Sequence, residues 1–356
     1  MHRSSNRLQL GFTMIELLMA LVVTIVIVGG GLLVFTSSVQ SSTRSLKYSD
    51  IQTEARAALS QITRDLSQAG TGVPLNGIAI PSRTAGGANP NFACDTTQCY
   101  TGVDIPFTQG LLYKITPGNA IGPTISEPSD AIKVVYVDPT LNWSGVQGAV
   151  VAPNGGSVVM PVGTAPAVND PAVGITPGDV MLLQNVYGSA VGVVTAVAGQ
   201  VIIFGADPLN INQLAAPSGN IIALGTPGTN PLTYPATQIS RLIMVTYFIQ
   251  PFAGPNGPDA RIMRQVGTHP PVPIAEHIED LKFTYDVVDP ITNALTANSL
   301  DASIGAPPVS QPNQIRKVNI SVTARAARKE TTGDFLRINL TTSIGPRNLS
   351  FRDRYN

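Results

Sequence analysis

Residues 11–35 read GFTMIELLMALVVTIVIVGGGLLVF, and this stretch decides what kind of chain follows. From Leu17 to Phe35 the run is apolar without interruption by charge, and after Glu16 the next charged residue is Arg44. A helix needs about 20 apolar residues to cross the hydrocarbon core of a bilayer, and this segment is long enough. A single carboxylate at its mouth is the oddity. Charges inside such segments cost roughly 2.5 kcal/mol or more and are usually kept for a functional partner. The alternative is that Glu16 is a solvated acid at the helix start, where the helix dipole favours it.

A secretory signal would have a shorter apolar stretch, of about 7–15 residues, followed by a small-residue cleavage site. Here the run is longer and Thr36-Ser37-Ser38-Val39 is a poor cleavage site, so the segment reads as a retained anchor. Composition agrees with a folded remainder. The chain has 22 basic and 22 acidic residues and a formal net charge of +0, with Gly, Pro, Val, Ile and Thr abundant. Disordered tails need low hydrophobicity and high charge, and a dedicated nucleic-acid binder would be basic. Residues 71–356 are enough for a sizeable core.

The periodicity changes after the apolar run but stays helical. Ile51, Ala55, Ala58, Leu59, Ile62, Leu66 and Ala69 recur at three- and four-residue steps and form one stripe. Asp50, Gln52, Glu54, Arg56, Gln61, Arg64 and Asp65 are assigned to the opposite, wet face. Gly70, Gly72 and Pro74 supply the stop. A helix over residues 12–69 would be roughly 85 Å long. Its half over 12–35 would be apolar all round and its half over 36–70 amphipathic. Gly29, Gly30 and Gly31 interrupt the apolar half. They serve either close packing between membrane helices or as a weak point, since each costs about 1 kcal/mol of helix propensity against alanine.

Beyond Gly72 the chain reads as a β-rich head. Residues 71–128 are rich in Gly, Pro, Asn and Thr and read as long loops holding Cys94 and Cys99. Strands are predicted at 131–137, 179–186, 191–196, 201–204, 241–250, 261–266, 281–287, 318–325 and 336–342. Leu281, Phe283, Tyr285 and Val287 alternate with Lys282, Thr284 and Asp286, as do Val318, Ile320, Val322 and Ala324 with Lys317, Asn319, Ser321 and Thr323. Such alternation argues for antiparallel sheets with one wet face. The fold class is therefore α+β: a long N-terminal helix packed on an antiparallel head. The stretches 152–177 and 206–235 read as loop insertions.

Met1–Gly11, Phe12-Thr13-Met14-Ile15-Glu16-Leu17 and the apolar tail together resemble the processing and assembly signal of type IV prepilins, written G-F-T-L-I-E-L, with Met14 at a usual leucine. Arg3 and Arg7 with no acid suit a prepilin leader over residues 1–11. The resemblance implies cleavage between Gly11 and Phe12 by a prepilin peptidase and N-methylation of Phe12. It implies an inner-membrane subunit with a cytoplasmic N-terminus and a periplasmic head, and an assembly role for Glu16 among other pilins or pseudopilins. It also favours the weak-point reading of Gly29–Gly31. Gly178-Asp179-Val180-Met181-Leu182-Leu183, Val245-Thr246-Tyr247-Phe248-Ile249, Arg261-Ile262-Met263-Arg264, Ile274-Ala275-Glu276-His277-Ile278-Glu279-Asp280-Leu281-Lys282-Phe283-Thr284-Tyr285 and the closing Thr341-Thr342-Ser343-Ile344-Gly345-Pro346-Arg347-Asn348 are similar, in order, to the heads of PilW-type minor pilins. The J-type pseudopilins of type II secretion share much of that pattern. In the oxidising compartment so implied, Cys94 and Cys99 are expected to form a local disulfide; free thiols or a metal site are the alternatives, and no histidine lies near them in sequence.

No catalytic motif is present: neither G-x-S-x-G, H-E-x-x-H nor a phosphate-binding glycine loop. No enzyme activity, cofactor or metal is expected. His277, beside Glu276 and Glu279, reads as a surface histidine. Over 312–356 nine basic residues (Arg316, Lys317, Arg325, Arg328, Lys329, Arg337, Arg347, Arg352 and Arg354) outnumber the acids Glu330, Asp334 and Asp353. Solvated strand edges account for this surplus. An acidic neighbouring subunit would be a sharper reason, and a better one than DNA, because stacking aromatics are few there.

Overall fold

The computed structural model describes residues 12–346, apart from 75–76, 82–87, 95–98, 101–109, 125–126, 142, 144–145, 147, 214–218, 255–256, 290–291, 301–313 and 331–332. It is α+β: one 55-residue helix, Met14–Gln68, followed by antiparallel sheets. The chain divides into two compact units, Met1–Asp50 and Ile51–Asn356. The described part of the first is helix from Met14 onward, and its most apolar window buries nothing. That helix is long and apolar enough for a single membrane span or a signal.

In the second unit the helix continues over 51–68. The stripe read from sequence is the face that is buried: Ile51, Ala55, Ala58, Leu59, Ile62, Leu66 and Ala69. Covering the larger of these stabilises by about 1.5–3 kcal/mol each. They share one core with both main sheets, through Ile132, Val134, Val245 and Ile262 on one side and Leu281, Phe283, Val318 and Ile320 on the other. Gly70 and Gly72 end the helix with φ of +80° and +69°. A Cβ at Gly70 would lie 2.6 Å from the Lys114 side chain, and the Gly70 amide donates to the Val135 carbonyl at 2.8 Å. The stop is thus also a docking point.

Gln238–Gly254 is the spine of the nine-stranded main sheet. It pairs antiparallel with Gly257–Val266, Ala131–Val137 and Val180–Asn185. Alternation sends Tyr136, Val245 and Tyr247 to the helix side, and Val135, Met244, Phe248 and Met263 to a second core on the other face. The C-terminal sheet is antiparallel, in the spatial order Leu295–Ser299, Ile278–Val288, Ile315–Arg325 and Arg337–Ile344. The apolar row of its predicted alternation is realised, with Leu281, Phe283, Tyr285 and Val287 all buried, but Asp286, expected on the wet face, is buried too.

Two readings need correction. Residues 71–128 are not only loops: short strands at Ile78–Ala79, Ala93–Cys94, Cys99–Tyr100, Leu111–Leu112 and Ile115–Gly118 lie within them. Nor are the insertions plain loops. Ser157–Val159 joins Val150–Val151, Ala196–Ala198 and Val201–Ile203 in a four-stranded sheet. This sheet has its own core around Trp143, Val158, Ile202 and Phe204. Two- and three-residue strands carry too few residues for a period to show.

Candidate functional site

Residue Gly11 lies outside the described residues, and Phe12 stands exposed at the start of the helix. Glu16 closes the helix start as a capping box. Its Oε2 accepts from the Thr13 amide and the Thr13 hydroxyl, each at 3.0 Å, and its own amide donates to Thr13 Oγ1 at 3.4 Å. The Thr-x-x-Glu spacing is the known signature of this motif, in which two orphan backbone donors are satisfied reciprocally. It was legible at Thr13-Met14-Ile15-Glu16 and gives the helix-start reading of Glu16 a concrete geometry. Gly29, Gly30 and Gly31 lie inside unbroken helix, and a Cβ at each would meet nothing within 4 Å.

The helix is tied to the head by a buried polar cluster that the sequence pattern misplaced. Asp65, assigned to the wet face, is 3% exposed. Its carboxylate accepts from the Tyr247 hydroxyl at 2.5 Å, Arg264 Nε at 2.8 Å and the Tyr136 hydroxyl at 3.4 Å. Burial, reinforced by the Asp65 charge, pushes the Tyr136 hydroxyl up to about 12 and Tyr247 higher still. Burial opposes the charge on Arg264, yet its hydrogen bond to Asp65 holds its pKa above the ordinary arginine value. Both tyrosines therefore remain donors and the arginine remains a cation at any physiological pH.

A second cluster joins the two large sheets where the chain crosses between them. His277 is not a surface histidine: its side chain is 24% exposed and its Nδ1 lies 2.6 Å from Asp259 Oδ2. Its φ of 57° falls in the left-handed region, which costs a non-glycine residue roughly 1–2 kcal/mol. Arg325 reaches Asp259 at 3.2 Å and Glu279 at 3.8 Å, and Arg337 reaches Glu279 at 2.6 Å. Part of the C-terminal basic surplus is thus spent inside the head, while Arg328 and Lys329 stay exposed. Arg347, Arg352 and Arg354 lie outside the described residues.

Cys94 and Cys99 are joined in a disulfide. The hairpin they staple covers the second face of the main sheet. The Cys94 amide donates to Gln265 Oε1 at 3.4 Å, and the Tyr100 ring packs on Phe248 with centroids 5.2 Å apart. Lys133 is wholly buried there, with Nζ 5.3 Å from the Phe92 centroid. Burial pushes its amine down to about 7.

Comparison with family models, with characterised proteins and with solved structures finds no match to this chain. The architecture itself defines the class: a long apolar N-terminal helix running into a β-rich head is pilin-like.

Proposed function

We propose that the chain is a minor pilin of PilW type, a non-catalytic subunit cut between Gly11 and Phe12 by a prepilin peptidase and built into a pilus or its initiating tip complex. One observation carries this reading. The prepilin-like signal opens a helix that buries nothing of its own over the apolar half, while the next half is the core element of a β-rich head. An apolar helix without a covering needs lipid or neighbouring helices around it. A subunit that moves from membrane to filament has both in turn.

Under this reading Glu16 meets the methylated Phe12 amine of a neighbouring subunit. In apolar surroundings that attraction would be strong, and it would replace the hydrogen bonds from Thr13. Glutamine also closes a capping box but carries no charge. Glu16→Gln should therefore keep the helix start and membrane insertion, be cleaved normally, and fail to enter sheared filaments. N-terminal sequencing of the mature wild-type protein should begin at Phe12, and a start after Thr36 would refute the assignment. Equal filament levels for Glu16→Gln and wild type would leave Glu16 as a cap alone.

A further inference from the structure

Lys133 is a primary amine sealed inside the head, and what seals it is small. Side chains alternate along a strand, so Ala131, Lys133 and Val135 share the second face of the main sheet. There Lys133 stands opposite Thr246, the residue midway between Met244 and Phe248. Its side chain is fully buried, with Nζ 3.8 Å from Met244 Sδ and 5.3 Å from the Phe92 centroid. The hairpin of Ala93–Cys94 and Cys99–Tyr100 follows directly on Phe92 and lays the Tyr100 ring on Phe248. Its ladder holds two residue pairs, Ala93 with Tyr100 and Cys94 with Cys99. A two-stranded hairpin is marginal on its own in water even when longer than this, so the disulfide is a large part of what keeps the cover closed.

The two strands of the cover are held differently. The first is tied to the segment around Pro208: the Asn91 amide donates to the Leu209 carbonyl at 2.9 Å and Asn91 Nδ2 to the Pro208 carbonyl at 2.7 Å. The Ala88 amide donates to Gln213 Oε1 at 2.7 Å, and the Cys94 amide to Gln265 Oε1 at 3.4 Å. The second strand is held to the first by the Phe92 amide, which donates to the Tyr100 carbonyl at 2.8 Å, and by the disulfide. The Tyr100 hydroxyl reaches the Ile249 carbonyl at 3.5 Å, a distance at which a hydrogen bond is weak. The two sulfurs differ as well. Cys94 is buried and Cys99 is exposed, so a nucleophile from solvent reaches Cys99.

The geometry points to a redox-operated clasp: reduction of Cys94–Cys99 by a dithiol frees the strand Cys99–Tyr100, which lifts from Phe248 and opens the Lys133 amine to solvent, and reoxidation closes it. In the reducing step a thiolate of the dithiol attacks Cys99 Sγ. The bond to Cys94 breaks and its electron pair leaves on Cys94 Sγ, which takes up a proton. The second thiolate of the dithiol then attacks its own sulfur in the mixed disulfide and releases Cys99. The dithiol ends as a disulfide, and its two electrons and two protons end on the two cysteines. Cys94 keeps its place, because its strand has the contacts to Leu209, Pro208, Gln213 and Gln265. The opening is local and leaves the helix-side core intact, as expected of a segment whose own contacts are few. The bridge spans a sequence separation of 5, for which loop-closure entropy corresponds to about a 30-fold change in the opening equilibrium. None of this rests on the pilin reading.

Acetylation of lysines in the full chain, purified in detergent, reads the clasp directly. The native protein is treated with dithiothreitol, pulsed with the N-hydroxysuccinimide ester of acetic acid, and digested for peptide mass spectrometry. Alkylation by iodoacetamide counts the thiols released. Reduction should raise the acetylation rate of Lys133 by about 30-fold. Exposed Lys329 should react at the same rate in both states. Lys114, 5% exposed and packed on Gly70 at the end of the helix, should stay protected in both. The variant Cys94→Ala with Cys99→Ser should show the raised Lys133 rate without reductant and no response to it. Should that variant fail to fold, the wild-type comparison decides alone. Three results would overturn the proposal: a disulfide that native reduction leaves intact, an unchanged Lys133 rate with both thiols free, or Lys114 becoming reactive in step with Lys133, which would mean that the head unfolds as a whole.

Discussion

Removing the charge on Asp65 should loosen the helix from the head, and the structure sets the size of the effect. Asp65→Asn keeps the shape and one acceptor but gives up the charge that Arg264 and two tyrosine hydroxyls converge on. Hydrogen bonds to charged groups contribute about 1.5–3 kcal/mol. Taking one partner from a buried pair costs about 3–5 kcal/mol. Arg264 keeps 24% of its side chain exposed and can turn toward water, so the loss should fall at the lower range, about 1.5–3 kcal/mol. For a unit of this size the urea slope is about 3 kcal/mol/M, and the midpoint should fall by about 0.5–1 M. The assay is urea unfolding of the full chain in detergent, followed by tyrosine near-ultraviolet circular dichroism. Arg264→Gln should cost a similar amount, and the double variant should cost less than the two losses together, by about 1 kcal/mol or more. Strictly additive losses, or an unmoved midpoint for Asp65→Asn, would refute the view that this contact fastens the helix.

Lys133 gives a pH signature. Burial lowers its folded pKa to about 7 from 10.5, so between those values the unfolded chain binds the extra proton and stability rises with pH. Lys133→Met should flatten this rise when urea midpoints at pH 7 and about 9.5 are compared, and equal slopes in both proteins would refute it. Replacing Gly29, Gly30 and Gly31 together by alanine should stiffen the apolar helix by up to about 1 kcal/mol per site, without a clash. Insertion and cleavage should be normal and filament incorporation reduced, measured as the ratio of sheared to membrane-bound protein. Unchanged incorporation would favour helix packing as the reason for the glycines.

Periodicity made the larger elements legible. The stripe from Ile51 to Ala69 and the alternation at Leu281–Val287 are burial patterns written directly into residue spacing, and every apolar position of both is buried, although Asp65 and Asp286 on the expected wet faces are buried as well. The positions that misled are those whose partners are remote. Asp65 looks solvated in a one-dimensional pattern because its ligands Tyr136, Tyr247 and Arg264 lie 71, 182 and 199 residues away. His277 looks superficial for the same reason, since Asp259 belongs to the other sheet. Only the crossing of two sheets brings them together. The Thr13–Glu16 box, by contrast, needs nothing beyond four consecutive residues.

The two kinds of contact along the second half of the helix do different work. The apolar stripe supplies most of the free energy, but hydrophobic burial is non-directional and nearly indifferent to small axial shifts. A helix held by that stripe alone could slide against the sheet with little change in buried area. Asp65 cannot slide, because its three donors come from three different strands and fix it in two dimensions. The backbone bonds Gly70 to Val135 and Val137 to Thr71 fix the same end of the helix to the same strand. A load applied along the helix axis would therefore be taken in shear at residues 65–71 rather than spread over the stripe. Residues 65–71 are therefore the end at which the helix over 51–68 is fastened to the head.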